Sequence, residues 1–439
     1  MNSLRVLMEY LGFPLQTHHN THQNVMQTQL TTDILSSREG REAEAILRNC
    51  VHCGFCTATC PTYQLLGSEL DSPRGRIYQV KQLLEGAEPS ASVQQHLDRC
   101  LLCRSCETTC PSGVDYSRLI EIGRQHLADR QPRTLPDRVQ RWVLRKILPK
   151  RKLFAGLLAL GRVIKPLLPA QFGRNLPDTT EKVRQSDWPT SDHPRKMLIL
   201  DGCVQPSLAP GINLATARVL DRLGITLIPT PQAGCCGAVE HHLDDHHASR
   251  QAARRNIDAW WPLLQERAEA LIITASGCAQ MVKEYDRLLA DDPLYAEKAQ
   301  QLVSRTKDIA EIIQQEDLEP LRNDTESRPR VAFHASCTLQ HGQQLPGVVE
   351  DILSRLGYSL APVAEAHLCC GSAGTYSILQ PELADELGQR KTDALLAGEP
   401  ELIATANIGC LNHLLKTTPR QIPVVHWIEL LLTRQPNKS

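Results

Sequence analysis

Residues 50–61 read CVHCGFCTATCP and residues 100–111 read CLLCRSCETTCP, so Cys50, Cys53, Cys56 and Cys60 recur fifty residues later as Cys100, Cys103, Cys106 and Cys110. Two-residue gaps let three thiolates on one tight loop reach three irons of a cubane. The fourth, after a three-residue gap and before proline, points away toward the neighbouring cluster. The ligand sets are therefore expected to cross: Cys50, Cys53, Cys56 and Cys110 hold one [4Fe–4S] cluster, and Cys100, Cys103, Cys106 and Cys60 hold the other. Zinc would ask instead for four ligands in two separated pairs. Pro61 and Pro111 break the following turn and steer the chain away.

Around these ligands, Gly54 and Ser105 are small residues that let backbone N–H groups approach the cluster sulfurs. His52 reads as a neighbour rather than a ligand, because the thiolates already fill the cluster. Between the motifs, Ser72 as N-cap, Pro73 at the first helical position and Gly86 beyond the end frame one helix. Arg74 and Arg76 in its first turn either offset cluster charge, meet a partner or are plain surface charges.

Eight further cysteines form a long-range repeat. Cys203, the pair Cys235–Cys236 and Cys278 are matched by Cys337, the pair Cys369–Cys370 and Cys410, with 31 residues between the single cysteine and the pair in both copies. Arg222-Leu223-Gly224 and Arg355-Leu356-Gly357 recur as well. This is internal duplication into two similar lobes. Each alternates short apolar runs such as MLIL, ITLI and LIIT with helical patterns, which predicts parallel strands with crossover helices. The cysteines fall just after strands or in Gly-rich loops, where ligands gather in such sheets. Each set of four is a candidate metal or redox site, with iron–sulfur and zinc both open as occupants. His334, His341, His367 and His413 stand near these cysteines and are read as polar neighbours outside the ligand list. The segment HHLDDHH, with His241, His242, His246 and His247, reads as a place of adventitious metal binding.

The remaining composition sets limits. Forty-eight basic and 49 acidic residues leave a net charge of −1, which argues against nucleic acid as a partner. No run approaches the roughly 18 apolar residues of a membrane span, and residues 1–25 lack the apolar core of a secretory signal, so a cytoplasmic location is expected. Residues 1–25 carry no assignable pattern and read as a disordered extension or a mis-assigned start, before Met26. Arg138 to Arg174 hold ten basic residues and no acidic one. Val139, Trp142, Val143 and Ile147 recur there at helical spacing, giving a greasy and a cationic face. That stretch is either a helical connector or a contact with an anionic membrane surface.

With CVHCGFCTATCPTYQLLG, SPRGRIYQVKQLLEG, AGCCGAV, NIDAWWP, TASGC, CTLQH, LCCGSAGTYS and TANIGC together, the chain resembles the iron–sulfur subunits of bacterial glycolate oxidase from about Met26 to HWIELL. The resemblance implies a subunit that passes electrons from FAD-bearing partners, which oxidise glycolate to glyoxylate, toward quinone or another acceptor, at the cytoplasmic face of the inner membrane. It places FAD and the substrate site on the partners, and no Gly-x-Gly-x-x-Gly follows a strand here. Subunits of lactate or glycerol 3-phosphate dehydrogenases are similar and form the alternative. The Cys-Cys-Gly lobes also look like the catalytic subunit of heterodisulfide reductase. That family has a further cysteine three residues after the last one, where this chain has Met281 and His413.

The fold expected is α+β multidomain: a helical 2[4Fe–4S] ferredoxin-type domain over residues 40–130, a basic amphipathic linker over 131–195, a cysteine-rich lobe over 196–290, a connector over 291–329 and a second lobe over 330–435.

Overall fold

In the computed structural model, residues 26–165, 183–322 and 328–432 are described. The expectation for residues 1–25 lies outside them, as does the linker over 166–182.

The first unit is helical. Helix α1 spans Arg38–Asn49, α2 Pro73–Leu84 and α3 Tyr116–Arg130. Each starts at a side chain that accepts a backbone N–H: Ser37 from Gly40, Ser72 from Gly75 and Asp115 from Arg118. Leu47, Val80, Leu83, Leu119 and Ile120 are buried between them. Gly123 permits the close crossing of α3 on α2, since a Cβ there would lie 2.5 Å from a methyl of Val80. The cysteine motifs sit in the loops that these helices hold apart.

Two helices follow, α4 at Leu135–Ile147 and α5 at Arg151–Ile164. Two arginines of α4 face inward: Arg141 meets Asp98 and Asp244, and Arg145 meets Asp245, while Arg138 is exposed. The apolar residues Leu135, Val139 and Trp142 face outward, as do Leu153, Leu157, Leu160 and Val163 on α5. Part of the cationic side is thus used internally, Arg138, Lys146, Lys150 and Lys152 remain exposed, and much of the greasy side is bare.

Lobe 1 contains β1 Arg195–Ile199, α6 Gly211–Arg222, β2 Ile225–Pro229, α7 His246–Glu266, β3 Ala270–Ile273, α8 Ser276–Val282 and β4 Thr306–Asp308. Its sheet is parallel in the order β2-β1-β3-β4. Lobe 2 contains β5 Val331–His334, α9 Val348–Arg355, α10 Pro381–Leu396, β6 Leu402–Thr405, α11 Ile408–Thr417 and β7 Val424–His426. Its order is β5-β6-β7, again parallel, and a single bridge from Val331 to Leu360 stands where β2 stands in lobe 1.

The duplication extends further than the cysteines. Strands β4 and β7 occupy matching edges and both end in a capping box, Asp308 with Glu311 and His426 with Glu429. Residues 306–308 had been expected in a connector, and they complete lobe 1's sheet. A three-residue strand is too short to announce itself by alternation.

Side-chain alternation sends Leu198 of β1, and Leu200 just beyond its end, into the cluster under α7 with Trp260 and Ile257, and sends Met197 and Ile199 the other way. That second face joins Val331, Phe333, Ile403 and Trp427 in one continuous core shared by both lobes. The lobes also exchange backbone contacts at their strand ends: Ser276 N–H donates to Ala406 O at 3.1 Å, and His426 Nε2 lies 3.0 Å from Thr274 O.

Candidate metal centres

The two ferredoxin loops have the same backbone. His52 and Gly54 in the first, and Leu102 and Arg104 in the second, are left-handed with φ of 54°, 84°, 52° and 60°. These paired reversals wrap each loop around a hollow. The residue equivalent to Gly54 is therefore Arg104, not Ser105. A non-glycine is held there in left-handed geometry by its ion pair with Glu284 of lobe 1. Ser105 instead opens a short helix, Ser105–Thr109.

Cys50, Cys53, Cys56 and Cys110 line one cavity, with Val51, Pro73, Ile77 and Tyr116. Cys60, Cys100, Cys103 and Cys106 line a second, with Pro61, Arg76, Leu101 and Tyr116. The folded chain brings the last cysteine of each motif beside the first three of the other, although Cys106 also touches the first cavity. Cys53 is exposed, and Cys50, Cys60, Cys100 and Cys106 are buried.

Burial pushes the Cys56 thiol up to about 11 and raises Cys50 too, and neighbouring thiols add to the effect. Without a cation these groups hold their protons; iron displaces the protons and binds thiolates. The donor set, four convergent thiols at each of two hollows, fits a pair of [4Fe–4S] clusters.

Arg74 and Arg76 part company. Arg74 is half-exposed, pairs with Glu69, and lies over Gly54. Arg76 is 1% exposed, as is Asp71, whose carboxylate it meets at 3.2 Å. Asp71 also receives Arg99 at 3.2 Å and faces His96 at 3.1 Å. Arg76 donates further to Thr62 Oγ1 at 3.1 Å and His96 O at 2.7 Å, beside the second cavity.

In lobe 1, Cys203, Cys235, Cys236 and Cys278 converge at the strand ends. Hydrogen bonds from Cys203 and Cys236 hold the Cys235 thiol well below its usual range, despite burial. Asn256 donates to Cys235 O at 2.8 Å and Tyr285 to Cys236 O at 2.7 Å, which fixes the vicinal pair. Burial, with Cys235 adjacent, raises Glu240 to about 7.

In lobe 2, Cys337 and Cys369 lie with sulfurs 3.9 Å apart, and Asn407 Nδ2 approaches Cys410 Sγ at 3.5 Å. Cys337 and Cys369 pack with Leu101, Cys103 and Tyr376, so lobe 2's thiols abut the second ferredoxin cavity. Gly371, at φ 88°, follows the pair; a Cβ there would meet Ala384 O at 2.6 Å. Replacement of Gly371 by alanine is expected to lower stability by about 1–3 kcal/mol, read as a fall in the thermal midpoint.

The histidines divide. His341 bridges Thr108 Oγ1 and His367 O, both at 2.9 Å, and His413 Nε2 lies 3.0 Å from Ala384 O, which suits polar neighbours. His334 has a polar contact too, with Thr405, and in addition one of its ring nitrogens and the sulfurs of Cys370 and Cys410 all lie within 4.8 Å of one another. Its signal was positional, three residues before Cys337 at a strand end, but a lone histidine carries no spacing pattern.

In the HHLDDHH segment His242 and His247 are exposed, whereas His241 is engaged with another unit. The short helix Ala238–His242 puts His241 Nε2 3.3 Å from Glu121 of α3. Burial opposes ionisation of both, yet their mutual attraction wins, raising His241 and lowering Glu121. The Glu121 share of this stability is present above its unfolded value near 4.3 and lost as pH falls through the lowered one. The His241 share is present below about 6.5 and lost as pH rises through the raised one. The gap in thermal midpoint between the native chain and Glu121→Gln is therefore expected to shrink as pH rises from 6.5 to 9.

Comparison with known proteins matches these parts. The model of a 4Fe-4S dicluster domain matches residues 46–114, and that of a cysteine-rich domain matches 197–283 and 331–415. The chain is 52% identical over 408 residues to the Escherichia coli (strain K12) "Glycolate oxidase iron-sulfur subunit", covering 92% of this chain and 98% of that protein. It is 29% identical to the Bacillus subtilis (strain 168) "Probable glycolate oxidase iron-sulfur subunit", over 91% of this chain and 96% of that one. "Lactate utilization protein A" of an Exiguobacterium strain is 25% identical over only 52% of this chain, spanning 94% of its own length. With the two cysteine loops, the duplicated lobes and a full-length match at this identity, the chain belongs to the family of glycolate oxidase iron–sulfur subunits.

Proposed function

We propose that this chain is the electron-transfer subunit of a glycolate-oxidising complex, taking electrons from an FAD-bearing partner that converts glycolate to glyoxylate and passing them toward quinone. The observation that carries this is the pair of four-thiol hollows. Cys50, Cys53, Cys56 and Cys110 would hold one [4Fe–4S] cluster and Cys60, Cys100, Cys103 and Cys106 the other. Bound clusters supply one-electron redox chemistry.

The chain's own residues set the surroundings. Cys53 and Phe55 leave the first hollow open to a docking protein, while Leu101 and Tyr376 close the second against lobe 2. Arg76 and Arg99 share the one carboxylate of Asp71 and leave net positive charge beside the second hollow, which would favour the reduced state of a cluster there. The two lobes would each hold a metal, zinc or a further iron–sulfur centre, on Cys203, Cys235, Cys236 and Cys278 and on Cys337, Cys369, Cys370 and Cys410.

Anaerobic purification is expected to give about eight irons and eight sulfides in the ferredoxin part. The electron paramagnetic resonance signal of reduced clusters should develop with glycolate only when the FAD-bearing partner is present. Stoichiometric zinc with iron near zero would sink the reading.

The bare apolar residues of α4 and α5, with Lys146, Lys150 and Lys152 nearby, support peripheral contact with an anionic bilayer. No helix among the described residues is long and apolar enough to cross a membrane. Trp142→Glu with Leu157→Glu is expected to cut sedimentation with phosphatidylglycerol vesicles at least tenfold; unchanged sedimentation would remove this contact.

A further inference from the structure

The lobes match strand for strand, but their sites differ at one position. Three residues before the single cysteine, lobe 1 has Leu200, buried under α7, and lobe 2 has His334 at the end of β5. His334 is 2% exposed. Its Nδ1 lies 2.9 Å from Thr405 Oγ1, at the end of the adjacent β6, and its Nε2 is buried with no hydrogen-bond partner.

An orphaned ring nitrogen in a core is costly unless something occupies it. The 2.9 Å contact with Thr405 Oγ1 is compatible with the tautomer that a metal on Nε2 would need. With Nδ1–H donating to Thr405, Nε2 carries a free lone pair, the arrangement by which a metal-binding imidazole is usually held. The neighbouring donors are sulfurs: Cys370 and Cys410, both buried, stand with the imidazole inside a 4.8 Å group. Cys369 is bonded in sequence to Cys370 and reaches Cys337 at 3.9 Å.

Such crowding decides between kinds of occupant. Ligands around one tetrahedral ion, at bonds of about 2.0–2.3 Å, are separated by about 3.4–3.8 Å. Donors already within 4.8 Å close on a single ion with small side-chain movements, whereas a cluster would have to force them apart.

We propose that lobe 2 binds one tetrahedral divalent ion of the zinc class through His334 Nε2, Cys370 and Cys410, with Cys369, the neighbour of Cys370, as fourth ligand and His334 taking the place given above to Cys337, a nitrogen–sulfur site that lobe 1, with Leu200, cannot copy. This rests on the reading that lobe 2 holds a metal. Lys391, buried beside these thiols with Nζ 2.7 Å from Glu365 O, would offset part of the thiolate charge.

The test uses the full-length chain purified anaerobically and titrated with cobalt(II), whose visible and near-ultraviolet bands count sulfur ligands. Besides any equivalent taken by the four lobe 1 thiols, the native chain should bind one with a three-sulfur, one-nitrogen spectrum in lobe 2, read as the difference from His334→Leu. His334→Leu, which installs the lobe 1 residue, should weaken that equivalent at least tenfold. His334→Cys should keep it and shift the bands to a four-sulfur pattern, which separates lost coordination from a misfolded lobe. Iron and sulfide, at about eight each, should be the same in all three, so loss of the cubanes would be seen independently. Unchanged affinity and spectrum in His334→Leu would overturn the proposal. So would iron and sulfide above eight that vanish in Cys410→Ser but survive in His334→Leu.

Discussion

Replacing Cys110 by serine is expected to empty the hollow built by the other motif. Cys110 stands at the end of CLLCRSCETTCP, yet it shares its cavity with Cys50, Cys53 and Cys56. Iron should fall by about half, from about eight to about four per chain, and electron delivery should stop. Crossing makes a sharper forecast through pairs. Cys53→Ser combined with Cys110→Ser should do no more damage than either alone, because both act on one cluster. Cys103→Ser combined with Cys110→Ser should lose both clusters. Additivity is the expectation for independent sites and its failure for residues of one site, so iron content across the two double variants reads the ligand sets directly. If Cys53 and Cys110 turn out additive while Cys103 and Cys110 do not, the ligands are uncrossed.

The second large effect belongs to a residue that binds no iron. Arg76→Met is expected to cost about 3–5 kcal/mol of stability, because it strands the Asp71 carboxylate in a region that excludes water. Arg99 and His96 remain nearby, but Arg99 approaches from a partly exposed position. Arg76→Lys should recover only part of the loss, since one ammonium cannot serve Asp71, Thr62 and the His96 carbonyl at once. Denaturant titration of the purified chain measures both. A loss under 1 kcal/mol for Arg76→Met would mean that the pair is replaceable by packing alone.

Much of this was legible before any coordinates. Ligand spacing is a local, chemical signal, so the two motifs read cleanly, and helix α2 read cleanly because Ser72, Pro73 and Gly86 are each there for a backbone reason. The repeat of Cys203 and Cys337, each with its Cys-Cys-Gly, was legible because 31 intervening residues are a distance no chance pattern keeps twice.

What failed to show was everything decided across the chain. The inward turn of Arg141 and Arg145 on α4 depends on Asp98, Asp244 and Asp245, which come from two other units. A helical wheel shows two faces and not which one is buried. His334 needed Thr405, Cys370 and Cys410, up to 76 positions away, to become more than a lone histidine. The choice for Arg76 between offsetting cluster charge and facing solvent stayed open in the sequence, because Asp71 and Thr62 are polar residues whose burial only the packed loops create.

The core that runs unbroken from Met197 and Ile199 to Phe333 and Trp427 makes the two copies mutually indispensable. A duplicate that has become half of a shared interior cannot be discarded when its original task lapses, because its sibling would lose its own lining. It stays as scaffold, and its loops are free to be refitted for another ligand. Relatives of this chain are therefore expected to vary most between lobes at the positions that face bound metal, such as Leu200 against His334, and least where one lobe leans on the other.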